Sequence, residues 1–182
     1  TSIELSQHEL DRVINDAQLI SSSADTLFLL LTHQNHEVLQ GKFLDSLLFT
    51  STDYSEISLN DGGIQEVLNT GSLDIIKNDR IRIILASWDE RIHKIRKFEE
   101  ESVYLGRDYT KFLDSYVNSS RWVLDSPSVV IPEKRKQLLA DPLLRNYLGR
   151  IAGVHGGMYN RYTEEKKLLD SLYTLIDIHL ME

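Results

Sequence analysis

The sequence predicts an all-α protein, an antiparallel helical bundle of three long helices plus two or three short ones. Three observations carry that expectation. Apolar residues recur every third or fourth position along three extended stretches. The one segment with strand character, Val129-Val130-Ile131, is cut short by Pro132. No fixed-period repeat or low-complexity tract divides the 182 residues, so residues 1 to 182 read as a single helical domain.

In chain order, Leu10, Val13, Ala17, Ile20, Ala24, Leu27, Leu31 and Val38 lie along one face of a first helix. Ser6 with Glu9 predicts a capping box at its start. Ser21-Ser22-Ser23, whose hydroxyls compete for backbone hydrogen bonds, predicts a kink. Gly41 separates a second, shorter helix holding Phe43, Leu44, Leu47 and Leu48. Residues 50 to 61, rich in Ser, Thr, Asp and Asn, read as a loop, and Gly62 to Asn69 as about two helical turns, with Gly71 as a C-terminal cap. Leu73, Ile75 and Ile76 then form a short apolar plug, and Asn78 or Asp79 caps the next helix.

That helix carries the longest seam: Ile81, Leu85, Trp88, Ile92, Ile95, Phe98, Leu105, Tyr109, Phe112 and Tyr116, interrupted by Ser102 alone. Between Asn118 and Ala140 the pattern fails. Asp141-Pro142 starts the last long helix, because proline at the first turn loses no hydrogen bond. Its seam is Leu144, Leu148, Ile151, His155, Met158, Tyr162, Glu165, Leu169, Leu172 and Ile176. Gly149, Gly153 and Gly157 recur every fourth residue within it, and each interior glycine costs about 1 kcal/mol against alanine. The stripe predicts close approach of another helix, or of a second copy of the chain, so a homodimer is one expected partner.

Composition narrows the function classes. A chain of this length buries about 70% of its unfolded surface, enough for one core. Its 20 basic and 28 acidic side chains give a net charge of -8, which disfavours nucleic acid phosphates and anionic lipid. With no cysteine there is no disulfide framework, thiolate metal site or cysteine nucleophile, and export to an oxidising compartment carries no penalty. The chain opens Thr1-Ser2-Ile3-Glu4 without a signal-type apolar region, and reads as a processed or truncated soluble piece.

The segments "NTGSLDIIKNDRIRIILASW" and "DPLLRNYLGR", followed by a long amphipathic helix ending "LLDSLYTLIDIHL", resemble an uncharacterised family of Gram-negative bacterial proteins. Its members carry one N-terminal transmembrane helix and an all-helical periplasmic domain. The similarity spans nearly the whole chain, but its motifs are structural. Where the family pattern has Leu-Arg after the cap, this chain has Arg80, Ile81 and Arg82. The resemblance implies a location at the periplasmic side of the inner membrane, contact with the membrane only through a helix preceding Thr1, and no particular activity.

Few residues point to chemistry. His33, His36 and Glu37 stand at i, i+3 and i+4, a spacing that on a helix lets ligands converge on zinc, although the set also suits a solvated helix end. His155 and Glu165 fall on the buried seam, where an imidazole and a carboxylate need partners or change charge. They are ten residues apart, about 15 Å along a helix, and do not bond each other. Arg145, Arg150 and Arg161 with Tyr147, Tyr159 and Tyr162 offer donors for a carboxylate or phosphate. The ligand-binding candidates are therefore His155, Arg145 and Tyr162, with no catalytic residue, metal ligand or cofactor assigned. Trp88 reads as a core anchor. Asn118-Ser119-Ser120 matches a glycosylation acceptor of little weight in a bacterial protein.

The expected function is that of a non-enzymatic periplasmic helical domain that senses a small ligand or binds a protein partner. The alternative is a metal-dependent or acid–base hydrolase using His33, His36, Glu37 and His155. The Glu-x-x-His pairs of di-iron bundle sites do not occur.

Overall fold

The computed structural model describes residues 2–59, 61–118, 120 and 127–180. The fold is all-α. Among the described residues its helices are α1 (Ser2–Thr32), α2 (Gly41–Thr50), α3 (Gly62–Asn69), α4 (Asp79–Ala86), α5 (Trp88–Leu113), α6 (Arg135–Ala140) and α7 (Pro142–Leu180), with 3-10 turns at Ser72–Ile75 and Pro132–Lys134. No described helix is long and apolar enough to cross a membrane.

The backbone clusters into two compact units. The first comprises Thr1–Asn15, Glu56–Glu99 and Met158–Glu182; the second comprises Asp16–Ser55 and Glu100–Gly157. Each draws on α1, α5 and α7. In the first unit α7 runs antiparallel to α1, with Gln7 bonded to Asp170 and Asp11 paired with Lys166. It also runs antiparallel to α5, where Arg91 meets Glu165 and Glu99 meets Tyr162. The second unit repeats the pattern. There Ser21 of α1 donates to the Ala152 carbonyl, and Tyr109 of α5 packs on Tyr147 of α7 with ring centroids 5.6 Å apart.

The predicted seams form the core. Leu10, Val13, Ala17, Ile20, Ala24, Leu27 and Leu31 are buried along α1, and Leu144, Leu148, Ile151, His155, Met158, Tyr162, Glu165, Leu169 and Leu172 along α7. Each large apolar side chain so buried contributes about 1.5–3 kcal/mol. Asn78 caps α4, its side-chain oxygen accepting from the N–H groups of Arg80 (3.0 Å) and Ile81 (3.3 Å). Asp141 caps α7 through the N–H of Leu143 at 2.9 Å, and Pro142 follows in the first turn. Val130 makes a one-residue antiparallel bridge with Val117, the extended piece expected before Pro132.

Several local expectations are corrected. Helix α1 starts at Ser2, so Ser6 lies inside it, and Glu9 turns instead to Arg12 and to the Ser58 N–H. Helix α1 also stops at Thr32, leaving Val38 52% exposed in the following turn. Helix α1 runs without interruption through Ser21-Ser22-Ser23, where the Ser21 hydroxyl bonds across to the Ala152 carbonyl of α7 at 3.1 Å. Phe43 is exposed, with Leu44, Leu47 and Leu48 forming the buried face of α2. The stretch Leu73 to Ile76 is not a plug: its 3-10 turn buries nothing, and Ile75 is exposed.

The long seam is two helices, not one. The Ser87 hydroxyl donates to the Ile83 carbonyl at 3.0 Å and accepts from Arg91 Nη1, which also donates to the Ile84 carbonyl at 2.9 Å. These donors satisfy the carbonyls at the end of α4, so the chain restarts at Trp88. After the restart Phe98 is half-buried and Glu99 takes the inward position.

The glycine stripe is real in sequence but does not act as expected within the chain. Helix α7 is continuous through residues 149 to 157. A Cβ at Gly153 would meet nothing within 4 Å, whereas Gly149 faces Phe28 and Gly156 faces the Ser21 hydroxyl at 3.6 Å. The face turned to α1 is thus Gly149, Ala152 and Gly156. The tightest glycine is Gly106, where a Cβ would stand 3.0 Å from the Thr52 carbonyl oxygen.

Candidate functional site

In the first unit, α5 and α7 flank a groove of about 400 Å³. Helix α5 contributes Arg91, Lys94 and Ile95, at i, i+3 and i+4; α7 contributes Arg161, Glu164, Glu165 and Leu168 in the same rhythm. Two amphipathic helices that bury one stripe against each other present the next stripe at the rim of their contact; Arg91, Lys94, Arg161, Glu164 and Leu168 occupy it, and the buried Ile95 and Glu165 border it from the core.

Arg91 is the fixed cation of the groove. Its Nε and Nη2 grip the two oxygens of Glu165 at 2.8 and 3.1 Å, a fork-to-fork pair. Its Nη1 bonds the Ile84 carbonyl and the Ser87 hydroxyl, and its guanidinium lies 5.7 Å from the Trp88 ring. All the donors that Arg91 turns inward are occupied. Glu165, only 2% exposed, is neutralised by this contact instead of standing as a lone buried charge.

About two turns further along α5 from Arg91 stands Glu99, only 1% exposed. It accepts the Ile57 N–H at 2.7 Å and the Tyr162 hydroxyl at 2.8 Å through one oxygen, and Arg96 at 2.8 Å through the other. These three bonds offset its desolvation and tie the backbone at Ile57 to α5 and α7. Trp88 is the core anchor expected, 1% exposed, and its indole N–H donates to Asp61 at 3.0 Å.

Arg161 behaves differently from Arg91. Its guanidinium stacks on Phe98, 4.1 Å from the ring centroid, and its Nε is buried with no acceptor. Among the described residues no carboxylate pairs with it, whereas Lys94 is committed to Glu90 at 2.6 Å. Stacking on Phe98 fixes the plane of the guanidinium, and Arg161 lines the groove. The lining consists of three cations, two carboxylates and two apolar side chains, with no hydroxyl, thiol or imidazole.

No family model, curated protein or solved structure matches the chain.

The sequence candidates fall in separate places. Tyr162 belongs to the first unit and is fully buried, spent on Glu99. Arg145 and His155 belong to the second; Arg145 is exposed, and His155 is 2% exposed with Nδ1 lacking a partner. Burial pushes the His155 imidazole down to about 4, so it is neutral at ordinary pH. The zinc geometry fails because α1 ends at Thr32: His33, His36 and Glu37 stand in a turn, not on one helix face. No cluster of three metal-ligating side chains occurs among the described residues. Ser119 of the acceptor triplet lies outside them.

The signals for Arg161 and Glu99 were present but weak. Arg161 appeared among several α7 cations with nothing to distinguish it, since the stacking partner Phe98 is 63 positions away. Glu99 was hidden by its neighbour, because a seam drawn through Phe98 assigns the adjacent carboxylate to solvent.

Proposed function

We propose that the chain is a non-catalytic binding domain of a membrane-anchored periplasmic protein, and that it reads a small anionic ligand in the α5–α7 groove. One observation carries the reading. Arg161 presents a stacked guanidinium with an unpaired Nε beside a second arginine whose donors are already occupied. An unpaired buried donor costs about 1–3 kcal/mol, and an arriving anion removes that penalty. The resemblance of "NTGSLDIIKNDRIRIILASW" and "DPLLRNYLGR" to a single-span family supports the address, and the absence of cysteine is compatible with it.

Thermal melts of residues 1–182 with acetate, phosphate and sulfate test the binding reading. The expected result is that at least one anion raises the Tm of the wild type and loses that effect in Arg161→Gln. Identical responses of the two proteins to every anion would overturn it. Alkaline phosphatase fused to the C-terminus of the intact protein tests the address, activity being the expected outcome and a silent, well-expressed fusion the contrary one.

A further inference from the structure

Resting on that groove reading, we infer that the ligand is a monocarboxylate with an apolar body, bound with its carboxylate on Arg161 and its hydrocarbon along Ile95 and Leu168. The charge balance selects a single negative charge. Three cations and two carboxylates line the groove, one of those cations is neutralised by Glu165, and Glu164 stays at the rim. A phosphate dianion brings a second charge against the two glutamates, where like charges repel. A carboxylate brings only what Arg161 lacks.

Geometry favours the same class. The guanidinium is planar by resonance, so its donors lie in one plane, and Phe98 beneath it fixes the orientation of that plane. A carboxylate seated side-on spans Nε and one Nη with two parallel bonds, and supplies the acceptor absent at Nε. Because Nε is shielded from water, the entering oxygen must displace a neighbouring side chain, which an apolar tail anchored nearby stabilises. Ile95 and Leu168 line the same groove, and its volume of about 400 Å³ accommodates an eight-carbon chain. An acid with no apolar part leaves these two side chains without a partner, and an alcohol of equal length leaves Arg161 without one.

Titration calorimetry with octanoate, acetate, octanol and inorganic phosphate tests the class. Octanoate should bind with one-to-one stoichiometry at least tenfold more tightly than acetate or phosphate, and octanol should not bind measurably. Arg161→Gln should weaken octanoate at least tenfold while melting as a folded protein. If that variant does not fold, Arg161→Lys, which keeps the charge and the apolar stem but not the fork, should still lose several-fold. Octanol binding as tightly as octanoate would overturn the carboxylate role. Acetate or phosphate binding through Arg161 as tightly as octanoate would overturn the apolar body while leaving the groove reading intact. Absence of any Arg161-dependent binding would remove both.

Discussion

Acidifying the solution should destabilise the protein through His155, and the size of the effect follows from its surroundings. The imidazole is 2% exposed, its Nδ1 has no partner, and burial lowers its pKa from 6.5 to about 4. In the unfolded chain the same group takes a proton near 6.5. Between those values the unfolded state binds more protons than the folded state, so stability falls as pH drops. Above pH 6.5 both forms are neutral and the group contributes no pH dependence; below about 4 both are charged and the loss is complete. At about 1.4 kcal/mol for each pH unit separating the two values, the full loss is about 3 kcal/mol. Carboxylates also respond in this range, so the measurement must isolate the histidine. Urea unfolding at pH 7, 6, 5 and 4 should be compared between the wild type and His155→Leu, which fills a similar volume without a titrating group. The wild type should lose about 3 kcal/mol more than the variant between pH 7 and 4, most of it below pH 6. Parallel pH profiles would refute the reasoning, and a wild type that gains on the variant toward acid would reverse its sign.

Three further outcomes are expected. Gly153→Ala, at an exposed helix position where a Cβ meets nothing, should stabilise by about 1 kcal/mol, while Gly106→Ala, facing the Thr52 carbonyl at 3.0 Å, should destabilise; thermal melts that rank them the other way would contradict the helix contacts. Asn78→Ala removes the α4 cap and should cost about 1 kcal/mol in chemical denaturation, a loss near zero showing that the cap is unimportant. Glu99→Ala strands three donors around a buried site and should cost about 3–5 kcal/mol, whereas a loss below about 1 kcal/mol would mean that the loop finds other acceptors.

The helical class, the seams of α1 and α7 and the caps at Asn78 and Asp141 could be read from sequence because each rests on interactions within a few residues. Spacing alone places Leu144 to Leu172 on one face, and it places His155 and Glu165 among them. What spacing cannot supply is the partner on another helix. Whether α4 and α5 are one helix or two depends on Arg91 reaching back to the Ile84 carbonyl while it holds Glu165, 74 positions along. Periodicity continues through Ser87 as though nothing happened, since the residues on both sides keep nearly the same phase. The small face of α7 was misassigned for a related reason. Gly149 shares one face with both Gly153 and Ala152–Gly156, and only the position of Ser21 on α1 decides between them. Asp45 is a further case: its burial makes sense only once its oxygens meet the Ser128 hydroxyl and the Val129 N–H, more than 80 residues later.

The loop around Ile57 has almost no order of its own. The Ile57 amide is held by a carboxylate 42 residues ahead, and the Ser58 amide by one 49 residues behind. Local turn contacts form in nanoseconds, but closures of that length wait until α1 and α5 have already come together. The segment is therefore expected to order late in folding, once distant helices deliver their acidic side chains to it. Once captured, its amides exchange with solvent at a rate set by the opening of those helices, so a stretch that looks like surface coil shares the cooperative fate of the core.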